Sequence, residues 1–150
     1  MRTMFLKFLI ESAVPFLNFF RPAPYWTHSM DGLRTLPQES VGRDLAFFID
    51  KQNLMLLPKY EVHDVLHVIL GYGTTPIEEM KLQGFMIGNR SSTFGGKVLF
   101  VLGLIIKPEY WKIVRKELKR GRQASVIRGI DFNNLVHIKT EDLRINLNIA

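Results

Sequence analysis

Apolar residues recur at three- and four-residue intervals through most of the chain beyond residue 40, the spacing that gathers them on one side of a helix. In VGRDLAFFIDKQ, Leu45, Phe48 and Ile49 make such a face, and Ser40 stands ahead of it as an N-cap. The next helix is predicted from about Lys59 to Leu70, with Val62, Leu66 and Ile69 on one side and its end at the Gly71-Tyr72-Gly73 turn. Thr75-Pro76-Ile77-Glu78 reads as a capping box with proline in the first helical position: the Thr75 hydroxyl serves the Glu78 amide, and the Glu78 side chain reaches back to Thr75. Residues 94–106, FGGKVLFVLGLII, carry one charge, Lys97, and fall well short of the roughly 20 residues of a membrane span, so a buried central helix is expected. Lys107-Pro108-Glu109 interrupts it, and YWKIVRKELKRGR continues as a basic amphipathic helix ending near Gly121. Asp131 and Thr140 offer later caps. No segment repeats and none alternates as a strand does, so the predicted fold class is all-α, a compact single-domain helical bundle with a hydrophobic N-terminal helix.

The chain divides into residues 1–35, an apolar N-terminal helix with a proline-rich connection, and residues 36–150, a helical domain. The first twenty-two residues are rich in phenylalanine but broken by Lys7, Glu11 and Pro15, which argues against a spanning helix, and no small-residue cleavage site follows a clean apolar stretch. An interfacial helix that sets Phe5, Phe8, Leu9, Phe16, Phe19 and Phe20 among lipid headgroups is one reading; a helix covered by the core or a partner is the other.

With 150 residues the chain is long enough for one core and short for two. It has no cysteine, which excludes disulfides, thiolate zinc sites, iron–sulfur clusters and cysteine nucleophiles. Any metal must therefore take nitrogen and oxygen ligands, which points to zinc or manganese first, with iron or magnesium as alternatives. The net charge of +6 is uneven: ten basic and nine acidic residues precede position 107, and ten face five from it onward. A basic face of that kind could meet an anionic membrane surface, an acidic partner or nucleic acid, or be a solvated helix face, and charge alone does not choose among these; a membrane surface is preferred over nucleic acid, because little aromatic surface beyond Tyr110 and Trp111 is interleaved with it.

His63 and His67 are four apart on a predicted helix, so both imidazoles lie on one face and can reach one ion. Asp64 lies close enough to bind the same ion or to orient an imidazole. Glu79 follows the glycine turn in the first turn of the next helix, where an antiparallel return brings it back toward the histidines. On spacing alone a His-x-x-x-His pair is more often two ordinary surface residues. A metalloprotease would need glutamate at the position of Asp64.

The string HDVLHVILGYGTTPIEE, in which His-Asp-x-x-His is followed after eleven residues by Glu, resembles the metal-site signature of the Coq-four family of ubiquinone (coenzyme Q) biosynthesis. The likeness continues through LPQESVGRDLAFFID and RGRQASVIRGIDFNNLVHIKTEDLRINLNI, covering most of residues 36–149. It implies metal ligands at His63, Asp64, His67 and Glu79, which are also the catalytic residues, in a helical protein peripheral to the membrane. The activity it implies is oxidative decarboxylation at ring carbon one of a polyprenylated hydroxybenzoate, or the organising of the biosynthetic complex. The partners it implies are an isoprenoid lipid, the membrane surface and other ubiquinone-biosynthesis proteins. The location read here is the cytoplasmic side of a bacterial inner membrane, and a homo-oligomer stays open.

Two competing readings remain. One is a non-catalytic isoprenoid-lipid-binding adaptor whose metal organises a headgroup. The other is an HD-type phosphohydrolase, in which His28 and Asp131 join the His63-Asp64 doublet.

Overall fold

A computed structural model of the chain describes residues 26–149. Its regular elements there are helical: α1 (Met30–Arg34), α2 (Val41–Lys51), α3 (Glu61–Leu70), α4 (Pro76–Gly88), α5 (Phe94–Ile106), α6 (Trp111–Gln123) and α7 (Thr140–Asn146), with 3-10 turns at Pro108–Tyr110 and Phe132–Leu135. The strand-like pairing among the described residues is an isolated antiparallel bridge between Ser40 and Lys139. The all-α expectation therefore holds. No helix among the described residues is long and apolar enough to cross a membrane. The apolar N-terminal segment and its phenylalanines lie outside the described residues.

The chain forms two units, the first built from residues 26–71 and 129–149. Here α2 packs against α1 and α3, and α7 against α3, around Leu33, Val41, Leu45, Ile49, Val65 and Ile69. As the sequence predicts, Ser40 caps α2, its hydroxyl accepting from the Arg43 amide at 3.3 Å. The apolar side of α3 is Val65, Leu66, Ile69 and Leu70, with Val62 only half-buried. Gly71 ends α3 with φ of +73°, the left-handed turn that lets its amide reach the His67 and Val68 carbonyls, and Arg144 donates to the Val68 and Ile69 carbonyls at 3.0 and 2.9 Å. A cation at the carboxyl end of α3 complements the helix dipole there. Thr140 is the first residue of α7, not its cap; its hydroxyl donates instead to Asp44 at 2.5 Å and ties α7 to α2. Asp131 does act as a cap, accepting from the Asn133 amide at 3.1 Å.

The second unit, Tyr72–Arg128, holds α4, α5 and α6. Thr75 caps α4 through the Glu78 amide, but the Glu78 carboxylate turns to Lys81 at 2.6 Å and does not reach back. The α4–α6 crossing is backbone against backbone: a Cβ on Gly88 would overlap the Leu118 carbonyl, and one on Gly121 the Phe85 carbonyl. Gly121 reads in the sequence as the end of a helix, yet α6 continues to Gln123 and the glycine serves the crossing. Asn89 binds the chain beyond it, donating to the Gly121 and Ser125 carbonyls at 3.1 and 2.9 Å and accepting from the Ile127 amide at 3.0 Å.

The expectation of a buried α5 is wrong. Its buried positions are Gly96, Phe100 and Gly103, while Phe94, Val98, Val101, Leu102 and Ile105 are exposed. Among the described residues, the side of the helix that is buried is the one that carries Gly96, Phe100 and Gly103.

Tyr72 starts this unit. Its buried hydroxyl donates to Glu117 and accepts from Arg120 at 3.0 Å, and the Arg120 guanidinium lies over the Tyr72 and Phe85 rings. Burial first, and the Glu117 hydrogen bond second, raise the Tyr72 pKa well above the ordinary tyrosine value of 10.0. A folded-state pKa raised in this way gives stability that is complete below the unfolded value and lost as pH climbs above it. Tyr72→Phe should cost about 1 kcal/mol at neutral pH. That difference from wild type should shrink above about pH 10, as measured by urea unfolding at both pH values.

Candidate metal centre

The helical repeat of α3 stacks His63 and His67 one turn apart, with ring centroids separated by 4.7 Å. His67 is buried and its ring lies nearly parallel to Phe48 of α2, centroids 5.6 Å apart. His63 is half-buried and meets the edge of Tyr60 at 6.2 Å. The two imidazoles thus sit within aromatic and apolar surroundings on elements that the core of their own unit holds in place. Such support fixes ring rotamers before any ion arrives.

Asp64 points its Oδ1 to within 3.4 Å of His63 Nδ1, a long contact between neighbours on the same helix turn. Glu61, two residues earlier, is also buried, and its Oε2 has no hydrogen-bond partner among the described residues. Its place in the first turn of α3 sets it in the positive field of the helix amino end.

Beyond the five residues that separate α3 from α4, Glu79 occupies the first turn of α4, fixed there by the Thr75 cap and by proline in the opening turn. His63, His67 and Glu79 each offer one ligand atom, and these atoms lie within 4.8 Å of one another, a group that could hold a metal ion. Two imidazoles and a carboxylate make a set that zinc, manganese and iron(II) all accept, with positions left over for water or a substrate oxygen. Asp64 is not a member of that group, although the sequence resemblance gives it as a ligand.

The phosphohydrolase reading needs His28 and Asp131 beside the doublet. Neither belongs to the metal-capable group among the described residues. His28 binds the Asn133 carbonyl through Nε2 at 2.8 Å, and Asp131 caps the 3-10 turn while accepting from Asn134 at 2.7 Å. Both have structural work in the loop that precedes α7. Phe48 and Tyr60 are the site neighbours that sequence reasoning missed. Phe48 reads correctly as part of an apolar helix face, and no pattern in the chain says that this face meets an imidazole; Tyr60 is three residues before His63, a helical neighbour spacing that was there to be used.

No family pattern and no curated protein matches the chain. Among solved structures, the chain is similar to the crystal structure of a protein from Nostoc punctiforme PCC 73102, provisionally named a ubiquinone biosynthesis protein, with a TM-score of 0.64 and 21% identity over 99% of this chain and 79% of that one. At that level of identity the likeness establishes a shared fold.

Proposed function

We propose that the protein is a metal-dependent member of a ubiquinone-biosynthesis pathway, acting on a polyprenylated hydroxybenzoate at the membrane surface. The observation that carries this reading is the grouping of His63, His67 and Glu79, in a fold similar to that of a protein provisionally named for ubiquinone biosynthesis. The ion, zinc or manganese first, would be held by those three residues. When bound, it supplies positive charge and open positions toward which a substrate carboxylate is drawn.

The residues around the group have separable tasks in this proposal. Asp64 holds the His63 ring through Nδ1, so that ligation falls to the other nitrogen. Phe48 fixes the plane of the His67 ring, and Tyr60 borders His63. Exposed Phe47, Leu54, Met55 and Leu57, on α2 and the segment after it, offer apolar surface for an isoprenoid tail. The reaction exchanges the ring carboxylate for a hydroxyl. The acid, one dioxygen, two protons and two electrons give the phenol, carbon dioxide and water, so an external two-electron donor is a required co-reactant. Other proteins of the pathway are the proposed source of that donor and of the substrate.

Glu79→Gln tests the reading. A first-turn residue beside an intact Thr75 cap contributes little to stability, so the variant should fold with unchanged helicity. It should bind the ion at least about tenfold more weakly, by the logic that even outer partners of a ligand are worth about 10–100-fold. Elemental analysis and metal titration measure that weakening, and complementation of a ubiquinone-deficient strain, which the variant should fail to restore, measures the loss of activity. Full complementation by Glu79→Gln, or wild-type protein that takes up no divalent ion, contradicts the proposal. Metal binding with a co-purified isoprenoid but no rescue by wild type would favour the adaptor reading.

A further inference from the structure

We propose that the solvent face of α5 is a docking surface for an anionic lipid bilayer. Phe94, Val98, Val101, Leu102 and Ile105 are exposed by 83, 41, 54, 37 and 71%. At about 100° per residue they span a stripe about 100° wide, while the buried Gly96, Phe100 and Gly103 lie on the opposite side of the same helix. That stripe width is the one a helix normally buries in a core, and here it faces outward. Lys97, also exposed, falls at the edge of the stripe, where its stem can lie along apolar surface and its ammonium can rise to headgroup phosphates. Thirteen residues make a rod of about 20 Å, too short to cross a hydrocarbon layer of about 30 Å but suited to lying along its surface.

The charge of the same unit says which surface fits. After α5 the chain turns through Pro108–Tyr110 into α6, where Trp111 and Ile113 are exposed as well. Between residues 107 and 122 there are seven lysines and arginines and two glutamates. Both acids are engaged within the unit, Glu109 by Lys107 at 3.2 Å and Glu117 by Tyr72 and Arg120. Lys112, Arg115, Lys116, Lys119 and Arg122 are exposed, so the charge turned to solvent is basic. An anionic leaflet attracts such residues at about 1 kcal/mol each, and the indole of Trp111 suits the headgroup level. A second copy of the chain would bring the same basic residues against themselves, and an apolar protein groove would leave their charge unused. The surface belongs to Tyr72–Arg128 and does not depend on the metal reading.

The test uses the full chain with vesicles of phosphatidylcholine carrying or lacking phosphatidylglycerol. Wild type should co-sediment with the anionic vesicles, more weakly as salt rises, and bind the neutral ones poorly. Ile105→Asp and Val101→Asp alter exposed side chains, so thermal unfolding and metal uptake should match wild type while vesicle affinity falls at least about tenfold. Ile145→Asp, at an exposed apolar position in the other unit, should leave vesicle binding unchanged. Wild type that ignores both vesicle types, Ile105→Asp that binds as wild type does, or Ile145→Asp that loses as much as Ile105→Asp would each overturn the proposal. So would a wild-type dimer that Ile105→Asp turns into a monomer with vesicle binding intact, because the face would then join two copies.

Discussion

His63→Ala should empty the metal centre: the ion should fall from about one per chain to background, with affinity lowered by on the order of 100-fold or more. The loss exceeds the about 10–100-fold expected for an outer partner because alanine removes a donor atom outright. Asp64→Asn, which keeps the shape but weakens the hold on His63 Nδ1, should fall inside that lower range. The order of the two effects is the informative result. Metal titration by calorimetry measures both, and Asp64→Asn as damaging as His63→Ala would move Asp64 from orienting an imidazole to ligating the ion. His63 is half-buried, so its truncation should leave helicity and cooperativity of unfolding near wild type, which separates a site effect from a folding effect.

Gly121→Val should strongly destabilise the α4–α6 crossing. The added Cβ overlaps the Phe85 carbonyl and crowds the Asn89 amide, and backbone cannot move aside as a flexible side chain can. Overpacking of this kind costs about 3 kcal/mol or more, and at about 2–4 °C per kcal/mol the midpoint should drop by roughly 6–12 °C. Gly129→Ala makes the contrast. Its φ of +85° strains an alanine, but nothing lies within 4 Å of the added Cβ, so a cost of about 1–2 kcal/mol is expected. Equal midpoints for the two variants would show that the crossing relaxes until its cost is no greater than that of one strained turn residue.

The features legible in the chain are those set by local chemistry. The Ser40 and Thr75 caps, the Gly71 stop, the Asp131 turn and the helical register of His63 and His67 each depend on a few consecutive residues, and each stands where the sequence puts it. Where a local signal had two uses, the sequence misled. Thr140 looks like a cap because threonine often is one, but its hydroxyl is taken by Asp44, ninety-six residues away in the chain. Gly121 looks like a helix end because glycine often follows one, but it is small for the sake of a neighbouring backbone.

Sequence by itself determined the all-helical class and which side chains have donor atoms suited to a metal, because helical periodicity, capping and donor type are properties of short segments. The tertiary structure alone decided what each helix face meets. The apolar content of α5 is the same whether that helix is buried or exposed, and only its neighbours fix which. The same holds at the candidate metal centre: spacing aligns two imidazoles, but packing puts Phe48 against His67. Contacts between residues distant in the chain depend on the whole set of competing packings, and no short window of sequence contains that information.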